Sequence, residues 1–349
     1  MLDTARKHIS GVVWSVLAVA LLAFSGGVTL AQELPGEGKT VRMARATWDT
    51  GWFQTEVYTQ ALEALGYRVD RPITLDNPPF YQSVGQGDVD LWVNGWFPLH
   101  NTYREAFEPG ATIVGYVAEG GALQGYLIDK KTQQEYGITN LEDFKKPEVK
   151  ELFDTDGNGK ADLVACPPGW GCEKVISHHL DAYELRDHID PIKAGYAASM
   201  ADALGRYEQG DPIFFYTWTP NWTVGLLKPG EDVMWLEVPR PDLPPDQKEL
   251  EDATTLSGVN GCVDDPCEMG WPANDIRPVA NKAFLEDNPA VRSLLENMRI
   301  PIEDIFAQNA LMNEGEDSAA DLERHAKEWI EDNQEQFDEW IAQAKEAAM

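Results

Sequence analysis

A stiff loop places one tryptophan between two cysteines, in the run Cys166-Pro167-Pro168-Gly169-Trp170-Gly171-Cys172. The loop leads directly into a helical pattern over Glu173 to Leu185. The first N–H groups of a helix lack intrahelical partners and, together with the helix dipole, favour an anion. The face of the Trp170 indole favours a cation. This stretch therefore predicts a site for a small molecule that carries both charges.

Two further tryptophans stand where strand-like runs end, at Trp96 and Trp218. Each alone is as consistent with core packing, but three tryptophans in similar settings indicate an aromatic cage. A cage suits a quaternary ammonium, which cannot donate a hydrogen bond and is attracted to aromatic faces. For an anion, Gly171 and Cys172 offer backbone N–H groups at the helix start, and His100 offers a side-chain donor. His100 is also consistent with a capping or core role.

The elements that must position these residues alternate between strands and helices, which indicates an α/β fold with a mainly parallel sheet. Ligands of such sheets bind at the carboxyl ends of the strands. We expect a turn at Asp76–Phe80 and a hinge at Glu119-Gly120-Gly121. We also expect a long loop at Pro239–Pro272 and one acidic helix over Ser318–Ala347.

The first 31 residues read as a secretory signal peptide, with Arg6 and Lys7 before the apolar run Gly11 to Phe24. A transmembrane anchor is the alternative. The mature chain would begin near Gln32 and be exported. The formal net charge of the 349 residues is −31, which argues against binding to nucleic acid or to anionic membranes.

Four cysteines form two close pairs, Cys166/Cys172 and Cys262/Cys267. In an exported protein such pairs indicate disulfides. A zinc site built from the four thiolates is the alternative, although neither pair has the C-x2-C spacing of zinc knuckles.

An acidic loop resembles the first part of an EF-hand, with oxygen ligands at its positions 1, 3, 5 and 9. These ligands are Asp154, Asp156, Asn158 and Asp162. Position 12 is Ala165, where an EF-hand has a glutamate. A calcium site and a plain turn cluster therefore both stay open.

Several stretches together resemble the periplasmic glycine betaine/proline betaine-binding proteins of osmoprotectant ABC importers. The matching runs are Gln124 to Lys131, Leu152 to Thr155, Gly159 to Leu163, Cys166 to Cys172, Tyr216 to Pro220, and Asn94 to His100. The similarity extends over nearly the whole mature chain.

The resemblance implies a two-lobed, type II substrate-binding fold with the ligand in the cleft between the lobes. The lobes would be residues 32–124 with 239–349, and residues 125–238. It also implies a tryptophan box at Trp96, Trp170 and Trp218, and carboxylate contacts from His100 and the backbone of Gly171 and Cys172. The implied partners are a betaine ligand and a membrane permease with its ATPase, and we expect a monomer.

The sequence departs from the family at Cys262/Cys267 and at Trp48 and Trp52, which either extend the cage or simply pack. It contains no Gly-x-Ser-x-Gly, Walker or His-Glu-x-x-His motif. We therefore interpret the chain as a binding protein without a required cofactor, not an enzyme. The alternatives are a binder of choline or another quaternary amine, an exported enzyme acting on betaine-like compounds, and a metal-binding structural protein.

Overall fold

The computed structural model describes residues 34–349, and the predicted signal peptide lies outside the described residues. The described chain forms two larger sheets and one small hairpin, each sheet covered by helices. This arrangement confirms the expected α/β class. The strands of the first sheet come from residues 40–122 and 274–281, whereas those of the second come from residues 124–236.

The first sheet has the strand order β2-β1-β3-β13-β4, and β5 also pairs with β13. These strands are β1 (Thr40–Ala46), β2 (Arg68–Leu75), β3 (Leu91–Phe97), β4 (Ala111–Ile113), β5 (Ala118–Ala122) and β13 (Asn274–Asn281). The pairs of β1 with β2 and with β3 are parallel, and β13 is antiparallel to its neighbours.

The second sheet has the strand order β10-β6-β9-β7-β8. These strands are β6 (Gln124–Asp129), β7 (Ala161–Val164), β8 (Ile189–Ile192), β9 (Phe214–Trp218) and β10 (Val233–Leu236). β6 is antiparallel to β9 and β10, whereas β7 is parallel to β8 and β9. Both sheets are thus mixed, and the expectation of a mainly parallel sheet was wrong.

Thirteen α-helices in the described residues pack on these sheets or on one another. They are α1 (Trp52–Ala64), α2 (Asn77–Gln86), α3 (Arg104–Phe107), α4 (Lys130–Tyr136), α5 (Pro147–Lys150), α6 (Gly171–Ala182), α7 (Tyr196–Glu208), α8 (Thr223–Leu226), α9 (Lys282–Asp287), α10 (Pro289–Asn297), α11 (Ile302–Asn313), α12 (Ala319–Asp332) and α13 (Gln334–Ala347).

Two expected irregular segments are ordered elements instead. The expected turn at residues 76–80 is largely the start of α2, because its prolines occupy the first helical turn, where their missing N–H groups are not needed. The expected hinge at residues 119–121 lies within β5, whose two glycines adopt positive φ while the strand pairs with β13.

Two further segments near the C-terminus differ in part from expectation. The expected loop over residues 239–272 is irregular along most of its length, as predicted, but it also contains a short hairpin of β11 (Thr255–Leu256) and β12 (Cys267–Glu268). The expected helix 318–347 is two helices, because Asn333 leaves the helical conformation and its side-chain amide donates to the Trp329 carbonyl. The break lets α12 pack on α1 while α13 packs on α10.

Candidate functional site

A small cavity lies between segments that belong to the two large sheets. All six residues that the sequence predicts for ligand binding line it: Trp96, His100, Trp170, Gly171, Cys172 and Trp218. Five others line it as well: Trp48, Asn77, Leu99, Gln124 and Tyr216.

The aromatic walls of the cavity meet at steep angles. The ring centroids of Trp170 and Trp218 are 5.5 Å apart at an interplanar angle of 80°. Those of Trp48 and Trp170 are also 5.5 Å apart, at 70°. Rings set at such angles present faces and edges to one small volume from several directions. This geometry suits a compact cation with no hydrogen-bond donors.

One amide oxygen holds two of the tryptophans. Asn94 Oδ1 accepts the indole N–H of Trp48 at 2.6 Å and that of Trp96 at 3.1 Å. Asn94 and Trp96 lie in β3, in which every residue is buried. A side chain at Gly51 would approach Asn94 Cγ to 2.8 Å, so the glycine makes room for the amide. Trp48 is therefore held as firmly as Trp96.

The other two tryptophans donate across the cleft to the segment that precedes α1. Trp218 Nε1 donates to Thr50 Oγ1 at 3.1 Å, and both side chains are buried. Trp170 Nε1 donates to Thr47 Oγ1 at 2.9 Å, in a more exposed position. Thr47 Oγ1 in turn donates to Asp76 Oδ1 at 2.6 Å. Buried indole N–H groups need such partners, so these bonds orient the two rings.

The predicted disulfide Cys166–Cys172 closes the loop that carries Trp170, with its Cα atoms 6.0 Å apart. Gly169 has φ +94°, a conformation that L side chains rarely adopt. Trp170 is extended at the N-cap of α6, and the N–H groups of Gly171 and Cys172 precede the first intrahelical bonds. The loop thus presents an aromatic face beside two free backbone donors.

The second predicted disulfide, Cys262–Cys267, closes the β11–β12 hairpin region. Because all four cysteines are disulfide-bonded, none offers a thiolate, and the zinc alternative is excluded.

Glu173 adjoins the backbone donors and would oppose an anion there. Its carboxylate forms an ion pair with the Lys193 ammonium instead, and Glu173 does not line the cavity. The negative charge next to the proposed anion position is therefore neutralised locally.

His100 is buried, and burial lowers its pKa to about 3, so the ring is neutral at physiological pH. Its Nδ1 accepts the backbone N–H of Trp96 at 3.0 Å. The ring proton of the neutral form must then reside on Nε2. As the amide is placed, Nε2 lies 3.0 Å from Asn77 Nδ2, and Asn77 Oδ1 has no partner among the described residues. With the amide turned over, Asn77 Oδ1 accepts from Nε2–H. His100 Nε2–H is thus the donor that can serve Asn77 or an anion in the cavity.

Gln124, Tyr216 and Asn77 line the cavity but were not predicted as site residues. Gln124 opens the run that resembles the betaine-binding proteins, and this is the one signal that pointed to it. The contribution of Asn77 depends on the packing of α2 against the segment after β3, which sequence spacing does not reveal.

Trp48 and Trp52 lie in different surroundings. Trp48 lines the cavity, whereas Trp52 lines only a second, outer hollow that Trp48, Trp170 and Trp218 also border. The Trp52 indole donates to the Ala46 carbonyl at 2.8 Å, and the Arg45 guanidinium stacks 4.0 Å from the ring centroid. Trp48 therefore forms part of the cavity wall, and Trp52 does not.

The acidic loop brings the carboxylates of Asp154, Asp156 and Asp162 within 4.8 Å of one another. Backbone N–H groups of the same loop already bond to these oxygens; the N–H of Gly159, for example, donates to Asp154 at 2.8 Å. Ala165, at the twelfth position, is buried. These oxygen atoms could bind a cation, but the hydrogen bonds within the loop also satisfy them without a metal ion.

The fold and the cavity together define a two-lobed substrate-binding protein. The family model for the substrate binding domain of ABC-type glycine betaine transport systems matches residues 39–332. The chain belongs to this family.

Curated relatives match the chain along nearly its whole length. The glycine betaine-binding periplasmic protein OusX of Dickeya dadantii is 44% identical over 325 residues, covering 93% of this chain and 95% of the relative. The glycine betaine/proline betaine-binding periplasmic protein of Escherichia coli is 43% identical over 332 residues, covering 94% and 97%.

Solved structures share the fold at low sequence identity. A glycine/betaine/L-proline-binding protein from Borrelia burgdorferi has a TM-score of 0.67 at 18% identity, covering 89% of this chain and 100% of that one. Lactococcal OpuAC in its closed-liganded conformation has a TM-score of 0.64 at 21% identity, covering 87% and 99%. None of the helices formed by residues 34–349 has the length and apolarity needed to cross a membrane.

Proposed function

We propose that this protein captures glycine betaine or proline betaine in the periplasm and delivers it to the membrane permease of an ABC importer. The observation that carries the proposal is a cavity in which four tryptophans adjoin the N–H groups of Gly171 and Cys172 at the start of α6. The family and the function of its close relatives support the same conclusion. The role is binding rather than catalysis, because the family consists of transport substrate-binding domains.

Each half of the zwitterion has its own partner in the cavity. The trimethylammonium group would lie among Trp96, Trp170, Trp218 and Trp48. The carboxylate would accept from the backbone of Gly171 and Cys172 and from His100 Nε2. One aromatic face contributes about 0.5–2 kcal/mol to a cation, whereas micromolar binding needs about 8 kcal/mol. The anion contacts and the desolvation of the methyl groups must therefore supply a large share.

Capture would stabilise the closed arrangement of the two lobes, because only that arrangement brings all of these groups to one ligand. We assign residues 32–124 and 239–349 to the first lobe and residues 125–238 to the second. The strands of the two sheets support this division. We further propose that the protein works as a monomer and that the ATPase of the importer supplies the energy for transport.

A binder of choline is the second candidate within the class, since the cage would accept any quaternary ammonium. The free backbone donors of Gly171 and Cys172 favour a ligand with a carboxylate. Calcium at the acidic loop is a separate proposal, supported by the spacing of Asp154, Asp156, Asn158 and Asp162 and opposed by their bonds within the loop.

The test is a calorimetric titration of refolded, ligand-free mature protein with glycine betaine, proline betaine and choline. Refolding removes ligand retained during purification. We expect micromolar binding of the betaines and much weaker binding of choline. If choline bound as tightly as the betaines, the proposed cage would be supported and the proposed carboxylate contacts would be refuted. If none of the three compounds gave a heat of binding, the proposed ligand class would be refuted.

A further inference from the structure

We propose that Gln124 is an additional hydrogen-bond donor to the ligand's carboxylate and thereby helps to distinguish betaines from choline. The inference rests on the proposed function and deepens it. Gln124 lines the cavity and is only 2% exposed. Its Nε2 has no hydrogen-bond partner among residues 34–349.

The neighbouring tyrosine leaves this donor free in either orientation of the amide. As placed, Gln124 Oε1 accepts the Tyr216 O–H at 2.7 Å, and both N–H groups of Nε2 remain without a partner. If the amide were turned over, one N–H would donate to the Tyr216 oxygen and the second would still be free. At least one buried N–H therefore has no partner among the described residues.

The backbone places this donor beside the cage. Gln124 begins β6 and is paired directly with Trp218 of the antiparallel strand β9. Directly paired residues project from the same face of a sheet with their Cβ atoms about 4.5–5.5 Å apart. The Gln124 amide therefore stands next to the Trp218 ring.

The chemistry of the ligand identifies the acceptor. A trimethylammonium group has no lone pair, so the carboxylate is the one group of glycine betaine that can accept a hydrogen bond. Choline carries a hydroxyl instead, which is a weaker acceptor than an anion. A buried amide N–H without a partner is costly, and the betaine carboxylate would relieve that cost more than choline does.

Location separates Gln124 from Gln54, another buried glutamine whose amide lacks partners in the described part of the chain. Gln54 is fully buried, and neither atom of its amide has a partner among the described residues. It lies in α1, however, and does not line the cavity. Gln54 therefore offers a matched control for the loss of a buried amide as such.

The test compares glycine betaine and choline binding, by calorimetry or tryptophan fluorescence, in wild type, Gln124→Met and Gln124→Glu. Methionine keeps the length of the side chain and removes the donor. We expect Gln124→Met to weaken betaine binding roughly tenfold, as for a lost bond to a charged group, while choline affinity stays within about twofold. Gln124→Glu should shift the preference further toward choline, because its carboxylate repels that of betaine.

Two further variants guard against a general defect of folding. Gln54→Met should leave the affinities of both ligands unchanged. Tyr216→Phe keeps the Gln124 donor and should weaken betaine binding less than Gln124→Met does. Thermal unfolding of each ligand-free variant shows whether it is folded.

Unchanged betaine affinity in Gln124→Met, or an equal loss for betaine and choline, would overturn the role of Gln124. Failure of the proposed function looks different, because the wild-type protein itself would then bind neither betaine.

Discussion

The bond from Trp218 to Thr50 crosses the cleft, so its removal should act on the closed state alone. Thr50→Val keeps the shape of the side chain and removes the hydroxyl that accepts the indole N–H at 3.1 Å. Trp218 and Thr50 are only 4% and 2% exposed, so the N–H would be buried without a partner. In the open state water can replace the lost acceptor.

Leaving a buried donor unpaired costs about 1–3 kcal/mol. A cost of about 1.4 kcal/mol borne by the closed state corresponds to a tenfold change. We therefore expect betaine to dissociate roughly tenfold faster from Thr50→Val, with little change in the association rate. Stopped-flow tryptophan fluorescence measures both rates. Mixing ligand-free protein with betaine gives the association rate, and diluting the preformed complex, or mixing it with a competing ligand, gives the dissociation rate.

Three companion variants sharpen the test. Thr50→Ser restores the hydroxyl and should restore slow dissociation. Thr47→Val removes the more exposed acceptor of Trp170, where water can substitute, and should have a smaller effect. Thr59→Val removes a hydroxyl that bonds to the Thr55 carbonyl within α1, and should leave both rates unchanged. Wild-type dissociation from Thr50→Val, or equally fast dissociation from Thr50→Ser, would refute this account of closure.

Three further predictions concern the cage, the response to acid and the acidic loop. Trp48→Ala should weaken betaine binding roughly tenfold, whereas Trp52→Ala should change it little; calorimetric titrations showing equal losses would contradict the division between cavity and outer hollow. Burial lowers the pKa of His100 and His179 to about 3, so the unfolded chain protonates first as the pH falls. The free energy of unfolding should be fully retained above about pH 6.5 and fall by about 1.4 kcal/mol per histidine per pH unit toward about pH 3; a flat profile between pH 6 and 4 in denaturant titrations would be the contrary result. If the acidic loop holds calcium, Asp156→Ala should lower the metal content of the purified protein measured by elemental analysis, and equal content in both proteins would leave a plain turn.

The local sequence was sufficient to predict those parts of the site whose residues lie close together in the chain. Cys166 to Cys172 contains the tryptophan, the disulfide and the start of α6 within one loop, so chain connectivity alone brings Trp170 next to the backbone donors. The expected strand ends at Trp96 and Trp218 and the helices α1, α7 and α11 also follow from local patterns. The resemblance to a known family then connected these pieces into a two-lobed protein.

The relative directions of the strands were harder to predict, because they depend on which distant segment of the chain pairs with each strand. β13 runs through eight residues in the middle of the first sheet, although Pro278 interrupts its pattern. Its antiparallel pairing with β3 comes from residues almost two hundred positions away. Likewise, the break at Asn333 reflects two helices that pack on different neighbours.

The sequence by itself determined which chemical groups are available for binding. Tryptophan rings can hold a cation, and the backbone N–H groups after the Cys166–Cys172 loop can hold an anion, and each kind of group occurs within a short run of residues. Only the tertiary structure decided which groups meet across the cleft. It placed Trp48 in the wall of the cavity and Trp52 outside it, set Thr50 against Trp218, and left Gln124 Nε2 without a partner among residues 34–349. The physical reason is that these contacts join residues far apart in the chain, and their distances depend on how two separately formed sheets close on each other.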